Sequence, residues 1–334
     1  PTGSDWDGEA INVNLAIGGK FADGKGHAVA YIDYRNIDAV VKAQRDYLTC
    51  TMQANGEDGP TCSGSVYNQY GVFETYDAND NYTGFWINNV SEFGGDGHSW
   101  IPFNGARFNY NAYNHVQRPD EKMNAGAFAH YTINDHFEPY VEVMMMDNFT
   151  DAQIAPSANF GVYNFINCDN PMLSEQQWNI VCGPDTGFGP NDLAYVWQGR
   201  RNVEGAGRNN ALGHTNWRIL AGMRGDINDQ WSYDFYYMRA ENNSQDAYEN
   251  DLSIDRIGNA LDVIEDPETG EWVCRSGDAG CAPWNVFQEG QITQEALDYI
   301  SMVAVMWGVT RTEVANLTFT TDWEDYGVVL PGAS

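Results

Sequence analysis

Basic residues are scarce in this sequence. Its 334 residues include 17 Lys and Arg against 47 Asp and Glu, which gives a formal net charge of −30. Strong binding to DNA or RNA needs a basic surface that faces the phosphates. The composition therefore argues against a nucleic-acid partner. It is compatible with cationic partners, or simply with the acidic surface of an extracellular or salt-adapted protein.

Long apolar runs are missing as well. The longest one, YISMVAVMWGV from Tyr299 to Val309, is far shorter than the roughly 20 residues that a membrane-spanning helix needs. We expect this run to form a packed loop segment. The chain also begins at Pro1 without a Met or a signal peptide, which predicts a processed chain or an internal piece of a longer one.

Familiar catalytic motifs are absent: the sequence has no nucleophile elbow, no zinc-binding HExxH and no phosphate-binding loop. His98, His115 and His214 lie far apart, and single histidines are more often structural or solvated than catalytic. Paired carboxylates for glycoside cleavage stay an alternative because acids are so numerous, although no pair stands out. We expect a protein that is not an enzyme and that carries no cofactor.

Metal-binding patterns are weak. No CxxC motif occurs, and no histidine lies near a cysteine at zinc-like spacing. Asp77, Asn79 and Asn81 resemble the first ligands of a calcium loop, but the glutamate expected at position twelve is missing. Asp and Asn are also common turn residues, so the pattern favours a tight turn, and we expect no metal site.

The six cysteines that are present fall into three neighbouring pairs in separate segments. Six cysteines allow 15 pairings in principle, but near neighbours are favoured when each pair lies in its own loop. The expected disulfides are Cys50–Cys62, Cys168–Cys182 and Cys274–Cys281. Disulfides persist in oxidising compartments, so we expect the periplasm, the cell surface or the exterior.

Two similar phrases predict β-hairpins: YTINDHFEPYVEVM at residues 131–144 and GDINDQWSYDFYYM at residues 225–238. Around the second phrase, apolar and polar side chains alternate with period two, which is typical of strands. A three-residue loop at 228–230 would place Ile227 opposite Trp231, so that the two apolar faces coincide. The predicted apolar face is Trp217, Ile219, Ala221, Met223, Ile227, Trp231, Tyr233, Phe235 and Tyr237, and the other face is Arg218, Gly222, Arg224, Asp226, Ser232, Asp234 and Tyr236.

The first phrase follows the same rule, and three further strands are predicted at the ends of the chain. In the first hairpin, the apolar positions are Met123, Ala125, Ala127, Ala129, Tyr131 and Ile133, paired with Phe137, Pro139, Val141, Val143 and Met145. The opposite face holds Asn124, His130, Thr132, Glu138, Tyr140 and Glu142, and Met144 and Met146 make it less polar than expected. The further strands are AINVNLAIG, with Ile11, Val13, Leu15 and Ile17 outward, HAVAYIDYR, and VANLTFTTDW, with Ala315, Leu317, Phe319 and Trp323 on one face.

The apolar stretches of the hairpins have a limited height. On the apolar face, the first charged residue after Phe137 is Asp147, ten residues further along the chain. The first one after Trp231 is Arg239, eight residues further along. With about 3.4 Å per residue and a tilt near 45°, the apolar band is roughly 20–24 Å tall. The lipid-facing band of a membrane barrel is about 25 Å tall, whereas the strands of a soluble sandwich average about five or six residues.

The connections at the two ends of the predicted strands differ in length. One end has short turns, at about residues 19–26, 134–136 and 228–230. The other end has connections of roughly sixty residues that hold all six cysteines, at about 36–103, 150–214 and 244–311. This asymmetry is typical of outer-membrane barrels. Within the long connections we expect hairpins that turn at 77–84 and 266–270, and a short helix capped by Thr293.

Several of these segments resemble TonB-dependent outer-membrane receptors. They are GGKFADGKGHAVAYIDYRNIDAVVKAQRDYLTC, YNHVQRPDEKMNAGAFAHYTINDHFEPYVEVMMMD, GDINDQWSYDFYY and CAPWNVFQEGQITQEALDYI. The resemblance covers nearly the whole chain and implies an all-β fold. That fold is an antiparallel transmembrane β-barrel segment, part of a 22-stranded barrel with long extracellular loops and a plug in the lumen. Residues 1–334 would form a partial barrel domain of about seven strands, without the plug domain, the TonB box or the C-terminal strands.

The resemblance also implies a function. Such receptors lie in the outer membrane of Gram-negative bacteria and import a scarce ligand, such as a siderophore, a metal complex, an oligosaccharide or a peptide. The implied partners are outer-membrane lipid and lipopolysaccharide, an extracellular small ligand, and TonB through the missing plug region. Because about seven strands do not close such a barrel, we expect that the chain does not transport by itself. The native molecule is then longer, with a plug before Pro1 and more strands after Ser334.

The expected ligand contacts lie in the segment YVWQGRRNVEGAGR. The candidate ligand-binding residues are Trp197, Arg200, Arg201 and Arg208, because arginine grips anionic groups of a siderophore or of lipopolysaccharide. The alternative is that these arginines pair with nearby acids. A second function also stays open: a soluble secreted β-rich module that binds carbohydrate or matrix, since aromatics suit sugar stacking and disulfides suit secretion. Solubility without detergent would discriminate between the two functions.

Overall fold

The computed structural model describes residues 7–54, 59–321 and 327, and within them the chain is mostly antiparallel β-strand with three short α-helices. No helix in this part of the chain has both the length and the apolar character needed to cross a membrane. The helices are α1 (Glu175–Cys182), α2 (Ile254–Leu261) and α3 (Gln294–Ile300). The strands are β1 (Ala10–Phe21), β2 (Gly26–Ile37), β3 (Val40–Val41), β4 (Thr51–Ala54), β5 (Pro60–Ser63), β6 (Val72–Tyr76), β7 (Tyr82–Asn88), β8 (Trp100–Pro102), β9 (His115–Gln117), β10 (Asp120–Tyr131), β11 (Glu138–Asp151), β12 (Ile154–Pro156), β13 (Ala158–Asn167), β14 (Leu193–Arg201), β15 (Gly207–Asn228), β16 (Trp231–Leu252), β17 (Val263–Glu265), β18 (Trp272–Cys274) and β19 (Ser301–Thr321).

The main sheet runs in the order β1-β2-β10-β11-β15-β16-β19, and the short strand β12 also pairs with β15. Every neighbouring pair along this path is antiparallel. The prediction of an all-β, antiparallel fold is therefore confirmed. The seven strands of the path, as described, form an open sheet with β1 and β19 at its two edges.

The register of both predicted hairpins is confirmed along most of their length. Ala129 pairs with Val141 in the first hairpin, and Met223 pairs with Phe235 in the second. Because side chains alternate along a strand, one side of the sheet collects the predicted apolar residues and is called the apolar face. The polar face is the other side. Residues of the apolar face that are well exposed include Ile11, Val13, Leu15, Ile17, Ile32, Val141, Val143, Met145, Ile219, Phe235, Tyr237, Leu317 and Phe319.

The turn of the second hairpin differs from the prediction. Asp226 pairs with Ser232 as expected, but the ladder then shifts, and Asn228 pairs with Trp231. The loop is therefore two residues long, not three, and Ile227 is not opposite Trp231. The side chain of Asn228 explains the shift, because its Oδ1 accepts hydrogen bonds from the backbone N–H of Gln230 and of Trp231, at 2.9 and 3.0 Å.

The strands extend much further toward the long connections than the apolar alternation predicts. β15 and β16 are 22 residues each, and β19 is 21 residues. The prediction of a packed loop at residues 299–309 is wrong, because Ser301–Val309 is the first half of β19. Backbone pairing needs no apolar side chains, so a strand can continue where the sequence pattern fades. Trp323 lies outside the described residues.

The long connections fold into one compact unit, called here the loop body. It contains the sheet β13-β14-β6-β7-β8, the hairpin β17–β18 and the three helices. Its buried core contains Phe73 from the first long connection, Ile166 from the second and Trp284 from the third. The predicted hairpins that turn near residues 77–84 and 266–270 are present. The predicted helix cap is also present, since the Thr293 hydroxyl accepts from the backbone N–H of Ala296 at 3.2 Å.

Candidate functional site

The four predicted ligand-binding residues lie in the loop body and where it joins the main sheet. Trp197, Arg200 and Arg201 belong to β14, and Arg208 is the second residue of β15. The guanidinium carbons of Arg201 and Arg208 lie 5.4 and 5.1 Å from the centre of the Phe160 ring, within the range of a cation–π contact. The structure therefore brings two of the three arginines together on one aromatic ring.

Arg201 is buried, with 3% of its surface exposed. Its Nε donates to the carbonyl of Tyr67 at 3.0 Å, and its Nη1 donates to the carbonyl of Pro156 at 2.7 Å. Its Nη2 donates to the Ser65 hydroxyl at 3.2 Å. Burial, together with the nearby charge of Arg208, lowers the pKa of this guanidinium to about 10. Arg201 thus joins two segments of the long connections through carbonyl groups, and no carboxylate among the described residues lies at hydrogen-bond distance from it.

Arg200 and Arg208 also contact acceptors of the chain. Arg200 is buried, and its Nη2 donates to Glu204 Oε1 at 2.5 Å. Arg208 donates through Nε to the carbonyl of Ala155 at 3.1 Å and through Nη1 to the Tyr248 hydroxyl at 3.2 Å. The alternative noted for these arginines was pairing with a nearby acid, and in the described part of the chain this applies to Arg200 only. These contacts give the cluster a structural role, and a ligand contact by it stays a prediction.

The loop-body sheet also carries an aromatic surface that is not among the features predicted from the sequence. On β14, Val196 points into the core, and its neighbours Tyr195 and Trp197 point away from it. On β13, Ile166 is buried, whereas Phe165 is 57% exposed. The signal was available, because aromatic residues alternate with core residues in the segments VYNFIN and AYVWQ.

Four tyrosines and one phenylalanine form the most compact part of this surface, called here the tyrosine cluster. The rings of Tyr163 and Tyr195 are stacked at 4.6 Å between centroids, with 2° between their planes. Phe165 lies 5.4 Å from Tyr195. Tyr76 lies within 6.2 Å of both stacked tyrosines and 5.9 Å from Tyr82. These distances fall in the range of favourable aromatic pairs.

Hydrogen bonds connect the tyrosine cluster to a carboxylate. The Tyr76 hydroxyl donates to Glu74 Oε2 at 2.9 Å and lies 3.3 Å from the Tyr163 hydroxyl. The neighbouring Tyr163 hydroxyl, burial and the Glu74 carboxylate all disfavour ionisation of Tyr76, so its pKa lies well above its usual range. Tyr76 therefore keeps its proton at any physiological pH and acts as a hydrogen-bond donor.

The polar face of the main sheet carries paired charges. Arg224 contacts Glu138 at 2.5 Å, Arg218 forms an ion pair with Glu142, and the Tyr140 hydroxyl donates to Asp234 at 2.6 Å. One continuous row of side chains crosses all seven strands of this face: Asn14, Asp33, Asn124, Met146, Asn216, Asn242 and Thr310. The face is therefore suited to contact with water or with polar protein, and not with hydrocarbon.

The three disulfides Cys50–Cys62, Cys168–Cys182 and Cys274–Cys281 are formed in the structure, as the sequence predicts. The second one is part of the core of the loop body, and the first lies in the exposed hairpin β4–β5. Each closes a short segment within one long connection, so each restricts that connection locally.

The calcium-like pattern forms a turn in the structure. Asp77 Oδ1 accepts from the backbone N–H of Asn79 and of Asn81, at 2.8 and 2.9 Å. The amide of Asn81 and these N–H groups hold the pKa of Asp77 below its usual range. Among the described residues, no three His, Cys, Asp or Glu side chains gather closely enough to hold a metal ion.

Comparison with known proteins identifies no relative. No protein-family model matches the chain, and neither a curated protein nor a solved structure matches it.

Proposed function

We propose that the chain is part of an outer-membrane receptor, with the main sheet in the lipid and the loop body outside the cell. In this proposal the apolar face contacts lipid and lipopolysaccharide, and the polar face lines the lumen of a larger barrel of 22 strands. The loop body captures a scarce extracellular ligand. Uptake driven by TonB through a plug domain belongs to the proposal too, and it is supported by the resemblance of the quoted segments.

The size of the apolar face favours contact with lipid. Seven strands spaced about 4.8 Å apart, with an apolar stretch of about 27 Å along each strand, present about 900 Å². The largest apolar patch of a typical soluble monomer is about 300–600 Å². Leu15, Ile17 and Leu317 of this face are 64%, 73% and 57% exposed, which is unfavourable in water and favourable in hydrocarbon.

The observation that carries the proposal is the slope of the charged boundary on the apolar face. On four of the seven strands, the alternating apolar residues end at a first charged residue on the side of the long connections. These residues are Glu121 on β10, Asp147 on β11, Arg239 on β16 and Glu313 on β19. The strand pairings relate each of these residues to a position on β15, which gives their relative heights along the sheet.

Followed in this way, the boundary descends from β10 to β16 and is level between β16 and β19. Through these pairings, Glu121 of β10 is level with Gly213 of β15, and Asp147 of β11 is level with Thr215. Arg239 of β16 and Glu313 of β19 are both level with Ile219. From Gly213 to Ile219 is six residues, over the four strand-to-strand steps from β10 to β19. At about 3.4 Å per residue and about 4.8 Å per strand, a flat boundary would meet the strands at about 45°. Strands of outer-membrane barrels are tilted by about 35–45°.

The second candidate function, a soluble secreted carbohydrate-binding module, is favoured by the tyrosine cluster. It gives no reason for an apolar face of this size or for its sloping boundary. The two functions differ in one measurable respect, which is whether the apolar face meets lipid.

Spin labelling in membranes tests the proposal. All six cysteines are in disulfides, so an introduced cysteine is the single free thiol. Met223→Cys and Phe235→Cys place labels on the apolar face, and the adjacent Arg224→Cys and Asp234→Cys are the matched controls on the polar face. We expect oxygen to relax the first two labels and a polar nickel reagent to relax the controls. The reverse pattern, or recovery of the chain without detergent and free of vesicles, would contradict the receptor function.

A further inference from the structure

The exposed aromatic side chains of the loop body lie on one face of a sheet whose other face is fully packed. Phe73, Ile166 and Val196 point into the core and are at most 1% exposed. On the outward face, Tyr163 is 45% exposed and Tyr82 is 58% exposed. Packing of the core does not need these outward rings. Exposed apolar surface that is concentrated in this way marks a binding surface.

The arrangement of the rings leaves flat aromatic surface at the edge of the sheet. β13 is the first strand of the order β13-β14-β6-β7-β8, and its outward side chains Tyr163 and Phe165 are 45% and 57% exposed. Tyr163 stacks on Tyr195 of the neighbouring strand, and Phe165, which pairs with Tyr195, lies 5.4 Å from the Tyr195 ring. A ligand of this surface needs apolar C–H groups on a flat face.

The hydroxyl groups of the cluster have a defined direction of donation. Tyr76 has one proton, and it is used toward Glu74 Oε2 at 2.9 Å. The 3.3 Å contact between Tyr76 and Tyr163 is therefore made with the proton of Tyr163. The Tyr163 oxygen keeps lone pairs for an incoming hydroxyl donor. The Glu74 carboxylate accepts hydroxyl donors as well.

The charge around the cluster disfavours anionic ligands. Glu74 lies within the cluster, and the chain as a whole carries a formal charge of −30. Arg200 and Arg201, at the end of the same strand as Tyr195, are buried and directed at acceptors of the chain. A phosphate or carboxylate at the cluster would therefore meet net repulsion.

We propose that the tyrosine cluster binds a neutral oligosaccharide, with the C–H face of a pyranose ring on Phe165 and Tyr163 and its hydroxyl groups on Tyr163 and Glu74. The apolar face of a pyranose matches the exposed rings, and its hydroxyl groups match the acceptors at the rim of the cluster. This inference rests on the proposed receptor for its biological purpose. The binding itself is independent of membrane insertion, so the two ideas fail in separate experiments.

The test is saturation-transfer NMR and calorimetry on the full chain in lauryldimethylamine oxide, a detergent without a sugar headgroup. The probes are maltohexaose, cellohexaose and mannohexaose, with tetragalacturonate as the anionic comparison. We expect at least one neutral hexasaccharide to bind and its ring protons to receive saturation and shift upfield. Tyr163→Ala and Phe165→Ala should each weaken binding about fivefold to tenfold. Tyr163→Phe should keep part of the affinity, because it keeps the ring.

Tyr47→Ala is the matched control, since Tyr47 is 73% exposed and lies in a different segment of the loop body. Its affinity for the sugar should equal that of the unmodified chain. The inference is overturned if none of the neutral hexasaccharides binds at millimolar concentration. It is also overturned if the Tyr163 and Phe165 variants bind as well as the control, or if tetragalacturonate binds at least as tightly as the neutral sugars.

Discussion

At the scale of single residues, Arg201, one of the predicted ligand contacts, has a structural role in the loop body. A buried charge is costly unless it is hydrogen-bonded. Arg201 meets this requirement with two backbone carbonyls, one hydroxyl and the faces of two rings, Phe108 at 4.6 Å and Phe160 at 5.4 Å. Its contacts join segments that are more than a hundred residues apart in the chain.

Arg201→Met tests this role, because methionine is also long and unbranched but donates no hydrogen bond. The carbonyls of Tyr67 and Pro156 would lose their donors, and we expect the loop body to lose about 2–4 kcal/mol of stability. Native-state hydrogen exchange of loop-body amides measures the loss. Arg107→Met is the control, since Arg107 is exposed and its recorded contact is a 5.9 Å approach to Phe103. Equal protection in the two variants would contradict the structural role of Arg201.

At the scale of elements, glycines on the polar face let tyrosine rings lie across neighbouring strands. A Cβ added at Gly222 on β15 would lie 2.3 Å from Cζ of Tyr140, and a Cβ at Gly126 on β10 would lie 2.5 Å from Cε1 of Tyr31. Tyr140 uses this position to donate to Asp234 on β16. One glycine on the middle strand therefore allows a hydrogen bond that links β11 to β16 across β15.

Gly222→Ala should disturb this contact, and Gly213→Ala on the same strand is the matched control. At Gly213 the nearest atoms to a new Cβ are 3.9 Å away, so alanine fits there. We expect Gly222→Ala to cost about 1–3 kcal/mol, because the Tyr140 ring must shift and its hydrogen bond is strained. Gly213→Ala should be neutral or slightly stabilising. Urea unfolding in detergent compares the stability of the two variants. Equal unfolding midpoints would show that the Tyr140 ring shifts at no cost in stability.

At the scale of the whole molecule, the open main sheet has two long edges. β1 and β19 each pair on one side only in the described part of the chain, and β19 is 21 residues long. Its first half is apolar on both faces, with Val305, Met306 and Trp307 at 64%, 68% and 70% exposure. Unpaired edges of this kind associate with other strands.

The isolated chain should therefore self-associate through β19. We expect dimers or larger species in detergent, measured by light scattering after size exclusion. Val305→Lys combined with Trp307→Lys should weaken this association about tenfold, because a charge at an edge opposes pairing. Met52→Lys, at a 51% exposed position of the hairpin β4–β5, is the control and should leave association unchanged. A monomeric unmodified chain would contradict the prediction.

The sequence determined the features of this protein that depend on near neighbours. Period-two alternation places Met223 and Phe235 on one side of the sheet, the Asn228 and Asn134 segments become turns, and each cysteine pairs within its own connection. Only the tertiary structure decided where β15, β16 and β19 end and that three distant connections share one core. It also decided that Arg201 is buried and that Phe165 is exposed. These features depend on which distant segments meet. Backbone pairing and long-range packing decide that, and neither leaves a periodic pattern in the chain.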